Sequence, residues 1–258
     1  MSIGKSDPRS LPEHFSLARY QRIAGLHEGK PELFARLNRH EPITCRHRYR
    51  KFGSGPRTAC LIERGAPVLM VAHVDTVRLP SRSTGVVGGR LYHNAIDDRL
   101  GVYLGLEVLP AMGLPVDLLL TTGEEEGCST AALMRTRKRY RWMFSFDRGG
   151  EDVVCYQYEC AWLGDMLRAS GFTIGIGSYS CIAELGHLGC RGINYGCGMF
   201  GYHSDSAYCD LAMLGRQLRR FEAFYRQFSQ VRLPYRPTNR LRTCRAVISW
   251  AAGRSSRC

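Results

Sequence analysis

The chain has 258 residues, 44% of them hydrophobic, so it can bury one large core, and no apolar run approaches the ~20 residues of a membrane span. Its net charge of +13 is unevenly placed: residues 216–258 hold eleven arginines against one acid, Glu222, and so carry +10 of it, while the remainder is close to balanced. A uniformly basic nucleic-acid binder and a membrane-spanning protein are thereby disfavoured. Eleven cysteines, an odd number with no CxxC pair, point to reduced and mostly buried thiols rather than a disulfide framework. Residues 1–14 contain Pro8 and Pro12 and no apolar signal core, so a cytoplasmic protein is expected.

In chain order, the first forty residues read as covering helices, one around Phe15, Leu17, Ala18, Ile23 and Leu26 and one starting at Pro31. Residues 58–63 form a strand stopped by Arg64-Gly65. Residues 67–72, continuously apolar, form a strand buried on both faces that delivers His73 and Asp75. In an extended segment those two side chains point the same way, and a carboxylate beside an imidazole can orient it as a metal ligand. A Gly-rich connection over residues 83–89 leads to Asp97-Asp98 and an apolar helix over residues 102–109. Adjacent aspartates before a buried helix also suit a plain N-cap.

The stretch Val116-Asp117-Leu118-Leu119-Leu120-Thr121-Thr122-Gly123-Glu124-Glu125-Glu126-Gly127 is a short buried strand ending in three carboxylates. A third strand, residues 142–146, ends in Asp147. Three apolar strands therefore finish at His73, Glu124 and Asp147, which places one shared site at one edge of a sheet. A further strand at 153–158, a helix at 162–169 and a Gly-rich region to Gly201 follow. The last helix has apolar residues at Ala207, Leu211, Leu214, Leu218, Phe221, Phe224 and Phe228, in steps of four and three. Pro234 and Pro237 then break the pattern. The expected organisation is one α/β domain over residues 1–231, with 232–258 as a loosely held Arg-rich extension. That extension is either solvated or touches nucleic acid, an acidic partner or a phospholipid surface. Gly4-Lys5-Ser6 and Gly175-Ile176-Gly177-Ser178 lack the spacings of a phosphate loop and a nucleophile elbow.

His73-x-Asp75, Asp97-Asp98 with Gly101, Glu124-Glu125-x-Gly127, Asp147 and His203, in this order, resemble the co-catalytic zinc exopeptidase superfamily of aminopeptidases, tripeptidase T, carboxypeptidase G and related deacylases. The resemblance spans about half the chain. It implies a three-layer α/β/α fold with a mostly parallel mixed sheet. It also implies two zinc ions, with cobalt or manganese as substitutes: His73 and Asp147 on one, Glu125 and His203 on the other, Asp97 on both. Asp75 would support His73, Glu124 would be the general base for a metal-activated water, and the Asp97–Asp98 peptide would be cis. Lidded members insert a domain between the positions of Asp147 and His203; only 55 residues lie there, so a lid-less, aminopeptidase-like branch is expected. The substrate would be a peptide. An N-acyl amino acid or dipeptide substrate for a deacylase or dipeptidase remains an alternative, as does a non-catalytic protein working through the basic tail. Tyr202 and Tyr179 are candidates for steadying the oxyanion. No membrane partner is expected, and the oligomeric state is left open.

Overall fold

The computed structural model describes residues 12, 14–24, 48–81 and 83–237. The expected helix at Pro31 and the tail beyond residue 237 lie outside them. A first helix, α1 (Leu17–Ala24), buries Tyr20, Ile23 and Ala24. Strands β1 (Arg48–Ser54) and β2 (Arg57–Glu63) form an antiparallel hairpin, followed by β3 (Leu69–His73). A second hairpin, β4 (Gly85–Val87) and β5 (Arg90–Tyr92), turns at Gly88-Gly89, where the sequence suggests only a connection.

Helix α2 (Ile96–Tyr103) runs through a π turn at Leu104–Val108 into α3 (Leu109–Ala111). Strands β6 (Asp117–Thr121), β7 (Met143–Ser145) and β8 (Val153–Val154) precede α4 (Ala161–Ala169). Then come β9 (Gly192–Tyr195), β10 (Met199–Phe200), β11 (Tyr208–Asp210) and the long α5 (Leu211–Phe228).

The main sheet has the order β1-β2-β6-β3-β7-β9-β8. Its centre, β6-β3-β7-β9, is parallel, and the edges β1, β2 and β8 run antiparallel. This is the expected α/β class, and alternation along the strands explains its layers. Met70, Ala72, Leu118, Leu120 and Phe144 face one apolar cluster, shared with α1, α2, α4 and α5. Leu69, Val71, Leu119 and Met143 face the other, closed by 3-10 turns at Thr130–Leu133 and Cys181–Leu188 and by Tyr235. The packed body thus runs past residue 231: Leu233 and Tyr235 are buried, and Cys190 bridges to Pro234. Residues 156–158, expected to extend β8, are instead a 3-10 turn.

The last helix begins at Leu211 rather than Ala207, because Asp210 caps it by accepting a hydrogen bond from Met213 N at 2.9 Å. Ala207 is buried ahead of β11. Phe221 and Phe224 pack on Trp142 and Tyr195, with Phe221 also tilted against Phe144 at 4.6 Å between ring centroids. Truncating Phe221 to alanine is expected to cost about 3–5 kcal/mol and to lower the midpoint of a thermal melt by roughly 6–20 °C. An unchanged melt would mean that this aromatic cluster is not the central packing unit.

A second sheet, β10-β11-β5-β4, is wholly antiparallel. It pairs Tyr92 with Tyr208, and so draws the chain just after β5 towards the β10–β11 connection. Among the described residues no separate domain separates Asp147 from His203, and no helix is long and apolar enough to cross a membrane.

Candidate metal centre

Each element contributes one side chain to a common point at the carboxy ends of the central strands. His73 is the last residue of β3 and is buried. Its Nδ1–H donates to the carbonyl oxygen of Asp75 at 2.9 Å, which leaves the Nε2 lone pair directed into the site. The shared-face expectation for Asp75 is therefore modified: its carbonyl takes the imidazole proton, while its carboxylate stands 3.7 Å from Nδ1. That carboxylate instead accepts from the backbone N–H of Glu125 at 3.2 Å, tying β3 to the acidic turn.

The turn after β6 is tight. Gly123 has φ +79°, and a Cβ there would lie 2.8 Å from the carbonyl oxygen of Cys128, so only glycine fits. The turn presents Glu124 and Glu125 to the site, whereas Glu126 is exposed. Asp147 follows β7 and is clamped by Asn194, whose side chain accepts from Asp147 N at 3.1 Å and donates to Asp147 O at 3.0 Å. Ser180 donates to its carboxylate at 3.1 Å.

Asp97 and Asp98 divide their work. The peptide between them is cis, and both residues have non-helical backbone angles. Asp98 is fully buried; it accepts from Gly101 N at 2.9 Å, capping the helix, and from His73 N at 3.2 Å. Asp97 faces the site. His203 reaches it from the β10–β11 connection in a left-handed conformation, φ +66°. The small sheet is what brings Asp97 and His203 together.

The resulting geometry is two groups that share Asp97. In the first, His73 Nε2 lies 3.1 Å from Asp97 Oδ1 and 3.5 Å from Asp147 Oδ1. In the second, His203 Nε2 lies 3.1 Å from Asp97 Oδ2 and 3.0 Å from Glu125 Oε2. A tetrahedral zinc ion ~2.0–2.1 Å from each ligand leaves neighbouring ligand atoms roughly 3.3–3.4 Å apart, so both groups have the spacing an ion needs. Neither group contains a cysteine. Among the described residues Glu125 Oε1 is buried without a hydrogen-bond partner, an acceptor left over in a closed place. Glu124 belongs to neither group, although its Oε2 is 3.9 Å from His73 Nε2.

The electrostatics ask for cations. Burial pushes the Asp147 carboxyl up to about 6, against the pull of His73. Burial likewise pushes Glu124 up to about 7, with Asp147, Asp97 and Glu125 adding repulsion that His73 partly offsets. For Asp97 burial works upward, but hydrogen bonds from His203 and His73 hold it below the usual carboxylate range. Burial works to lower His73, and its contacts with Asp147 and Asp97 hold it well above its usual value. Four carboxylates surround two imidazoles, so negative charge is in excess even with both rings protonated.

Asp97, Glu124, Glu125, Asp147 and His203 line a cleft of about 500 Å³ that also includes Arg148, Tyr156, Tyr179, Tyr202 and the glycine-flanked Ile176. The Tyr179 hydroxyl is occupied, accepting from Ser129 N at 3.0 Å and donating to Glu184 at 3.3 Å. Tyr202 is half exposed and stands edge-on to His203. The sequence reading missed Asn194, Ser180, Tyr156 and Arg148. Asn194 had a signal, a polar residue inside an apolar strand. His93 is buried between Tyr20 OH at 3.2 Å and the Ser81 carbonyl at 3.1 Å.

Comparison with solved structures finds this fold in proteins of very different sequence. The aminopeptidase PepT from Bacillus cereus matches over 83% of this chain and 98% of its own, with a TM-score of 0.64 and 10% identity. A tripeptidase from Staphylococcus aureus matches over 79% and 96%, with a TM-score of 0.59 and 11% identity. An aminopeptidase from the archaeon Desulfurococcus kamchatkensis matches over 80% and 93%, with a TM-score of 0.53 and 12% identity. No protein-family model matches the chain, and no curated protein matches its sequence. The chain has the fold of these two aminopeptidases and the tripeptidase.

Proposed function

We propose that the protein is a two-metal peptide hydrolase, an aminopeptidase with zinc held by His73, Asp97 and Asp147 on one side and by Asp97, Glu125 and His203 on the other. The observation that carries this reading is the pair of ligand groups joined through Asp97, with a half-buried carboxylate, Glu124, beside them and outside both. When bound, the two ions would polarise the scissile carbonyl and lower the pKa of a water from ~15.7 toward ~7.

The rest is the work of this chain's own side chains. Glu124 Oε2 faces the cleft and is free of other hydrogen bonds among the described residues, so it can take the proton of the attacking water and return it to the leaving amine. His73 is held in one tautomer by the Asp75 carbonyl, and Glu125 is held by its N–H on the Asp75 carboxylate. Asn194 and Ser180 fix Asp147. The mixed His and carboxylate set suits zinc, with cobalt and manganese as substitutes. Replacing Asp75 with alanine is expected to weaken zinc binding about 10–100-fold, as loss of a ligand-orienting group does. Calorimetric titration with zinc checks this, and an unchanged affinity would remove Asp75 from the account.

The fold shared with aminopeptidases and a tripeptidase supports a peptide substrate. The test is hydrolysis of aminoacyl anilides beside their N-acetylated counterparts by zinc-loaded protein. Turnover confined to free-amine substrates and abolished by chelation supports the aminopeptidase. Cleavage of the N-acetylated set instead would make the protein a deacylase.

A further inference from the structure

Arg148 has no task in the hydrolytic account, yet it lines the cleft. Apart from His203, it is the one basic side chain among the cleft's lining residues, on a wall otherwise carrying Asp97, Glu124, Glu125 and Asp147. Its guanidinium is held firmly. Nε and Nη2 donate to the two oxygens of Asp152 at 2.6 and 2.7 Å, a bidentate pair that sets the plane of the fork. The pair occupies space that a side chain on Gly175 would need: a Cβ there would lie 1.8 Å from Asp152 Oδ2 and 2.8 Å from Arg148 Nη2. Gly175 therefore admits the ion pair to the cleft wall.

Two of the five guanidinium N–H groups go to Asp152, which leaves the end of the fork unused. Nη1 has no hydrogen-bond partner among the described residues and sits beside Gly177, where a Cβ would be 3.4 Å away. Gly177, Tyr156 and Tyr202 line the same part of the cleft. The Arg148 side chain is 22% exposed, so it is mostly covered yet reachable. A planar fork fixed on one edge and open on the other matches a second carboxylate.

We propose that Arg148, braced by Asp152, receives the terminal carboxylate of a short peptide, so that a free C-terminus determines which substrates the cleft accepts. The proposal rests on the peptidase reading for the rest of the substrate. A cleft of about 500 Å³ has room for a peptide of two or three residues, whose far end is a carboxylate. A long chain would present a neutral amide at this place.

The test uses full-length, zinc-loaded protein carrying Glu124→Gln, so that ligands are not consumed, and calorimetry with Ala-Ala, Ala-Ala-Ala, Ala-Ala-amide and Ala-Asp-amide. Charge-assisted hydrogen bonds of this kind predict that the better of the two free-carboxylate peptides binds at least about 10-fold more tightly than Ala-Ala-amide. Arg148→Gln in the same background is expected to bring that ratio to within about 2-fold, at an unchanged number of bound zinc ions. Arg148→Lys, which keeps the charge and loses the fork, should retain part of the preference; general disruption of the cleft would not spare it. The proposal is overturned if the parent protein shows no preference or binds none of the peptides, or if Arg148→Gln keeps the preference. Tighter binding of Ala-Asp-amide than of the free-carboxylate peptides would also overturn it, by assigning the anchor to an acidic side chain. Because the readout is binding, a failure of hydrolysis by the Glu124-containing enzyme would count against the peptidase reading separately.

Discussion

Replacing Glu124 with glutamine is expected to lower kcat by about 10²–10⁴-fold while leaving two zinc ions bound per chain. Glutamine keeps the shape of the side chain and removes only its ability to carry a proton. Glu124 stands outside both ligand groups, so the metals have no need of its charge. Its environment suits the role: burial pushes the carboxyl up to about 7, and three neighbouring carboxylates add to the push. Bound cations would draw it down again, which keeps the group ionised and ready to accept a proton near neutrality. The measurements are the initial rate on a free-amine peptide and metal content by elemental analysis of the same sample. A fall in rate with loss of metal would make Glu124 a ligand instead of a base; no fall would place the base elsewhere.

The second large effect concerns the carboxylate that the two groups share. Asp97→Ala is expected to abolish tight binding of both ions, because Oδ1 faces the His73 group and Oδ2 the His203 group. His203→Ala should behave differently. His203 belongs only to the second group and is 44% exposed, so its loss should leave one ion on His73, Asp97 and Asp147. Zinc titration followed by calorimetry separates the two outcomes by stoichiometry. If Asp97→Ala still binds two ions, the bridge is wrong. If His203→Ala binds two with unchanged affinity, the second site is wrong. Removing Asp97 also leaves His73 with fewer carboxylate partners in a buried position, so the stability of the apo variant should be followed by thermal melt alongside.

The central strands were legible because their chemistry is extreme. β3 is apolar up to its last residue, His73, β6 carries three leucines and runs into the acidic turn, and Asp147 follows two residues after β7. A buried strand that finishes in a charged group announces both its end and the side of the sheet where a ligand sits. The long amphipathic α5 was legible for its period, though not its start. Ala207 is as buried as the helix residues that follow it, and apolar periodicity cannot tell a buried loop residue from a helical one; the cap at Asp210 decides.

The missed elements share a different cause. β4, β5, β10 and β11 are two or three residues long, too short for any period to show. β1, with the sequence Arg-Tyr-Arg-Lys-Phe-Gly-Ser, is an edge strand that charge protects and that charge also hides from a search for apolar runs. The pairing of β5 with β11 is long-range, yet it is what sets His203 beside Asp97. The aspartate pair divides its roles: Asp98 is the helix cap, and Asp97 is the residue that faces the cleft. Arg148 was passed over because its meaning lies in Asp152 and in the space at Gly175, which only the folded chain brings together.

The most direct test of the account is to strip the protein of metal and add zinc stepwise, while amino-acid release from a mixed tripeptide pool is followed by mass spectrometry. The account predicts no release without metal and a rate that rises to a plateau at two equivalents, with single N-terminal residues as the first products. Release that persists in the stripped protein, or none at saturating zinc with two ions bound, would contradict it.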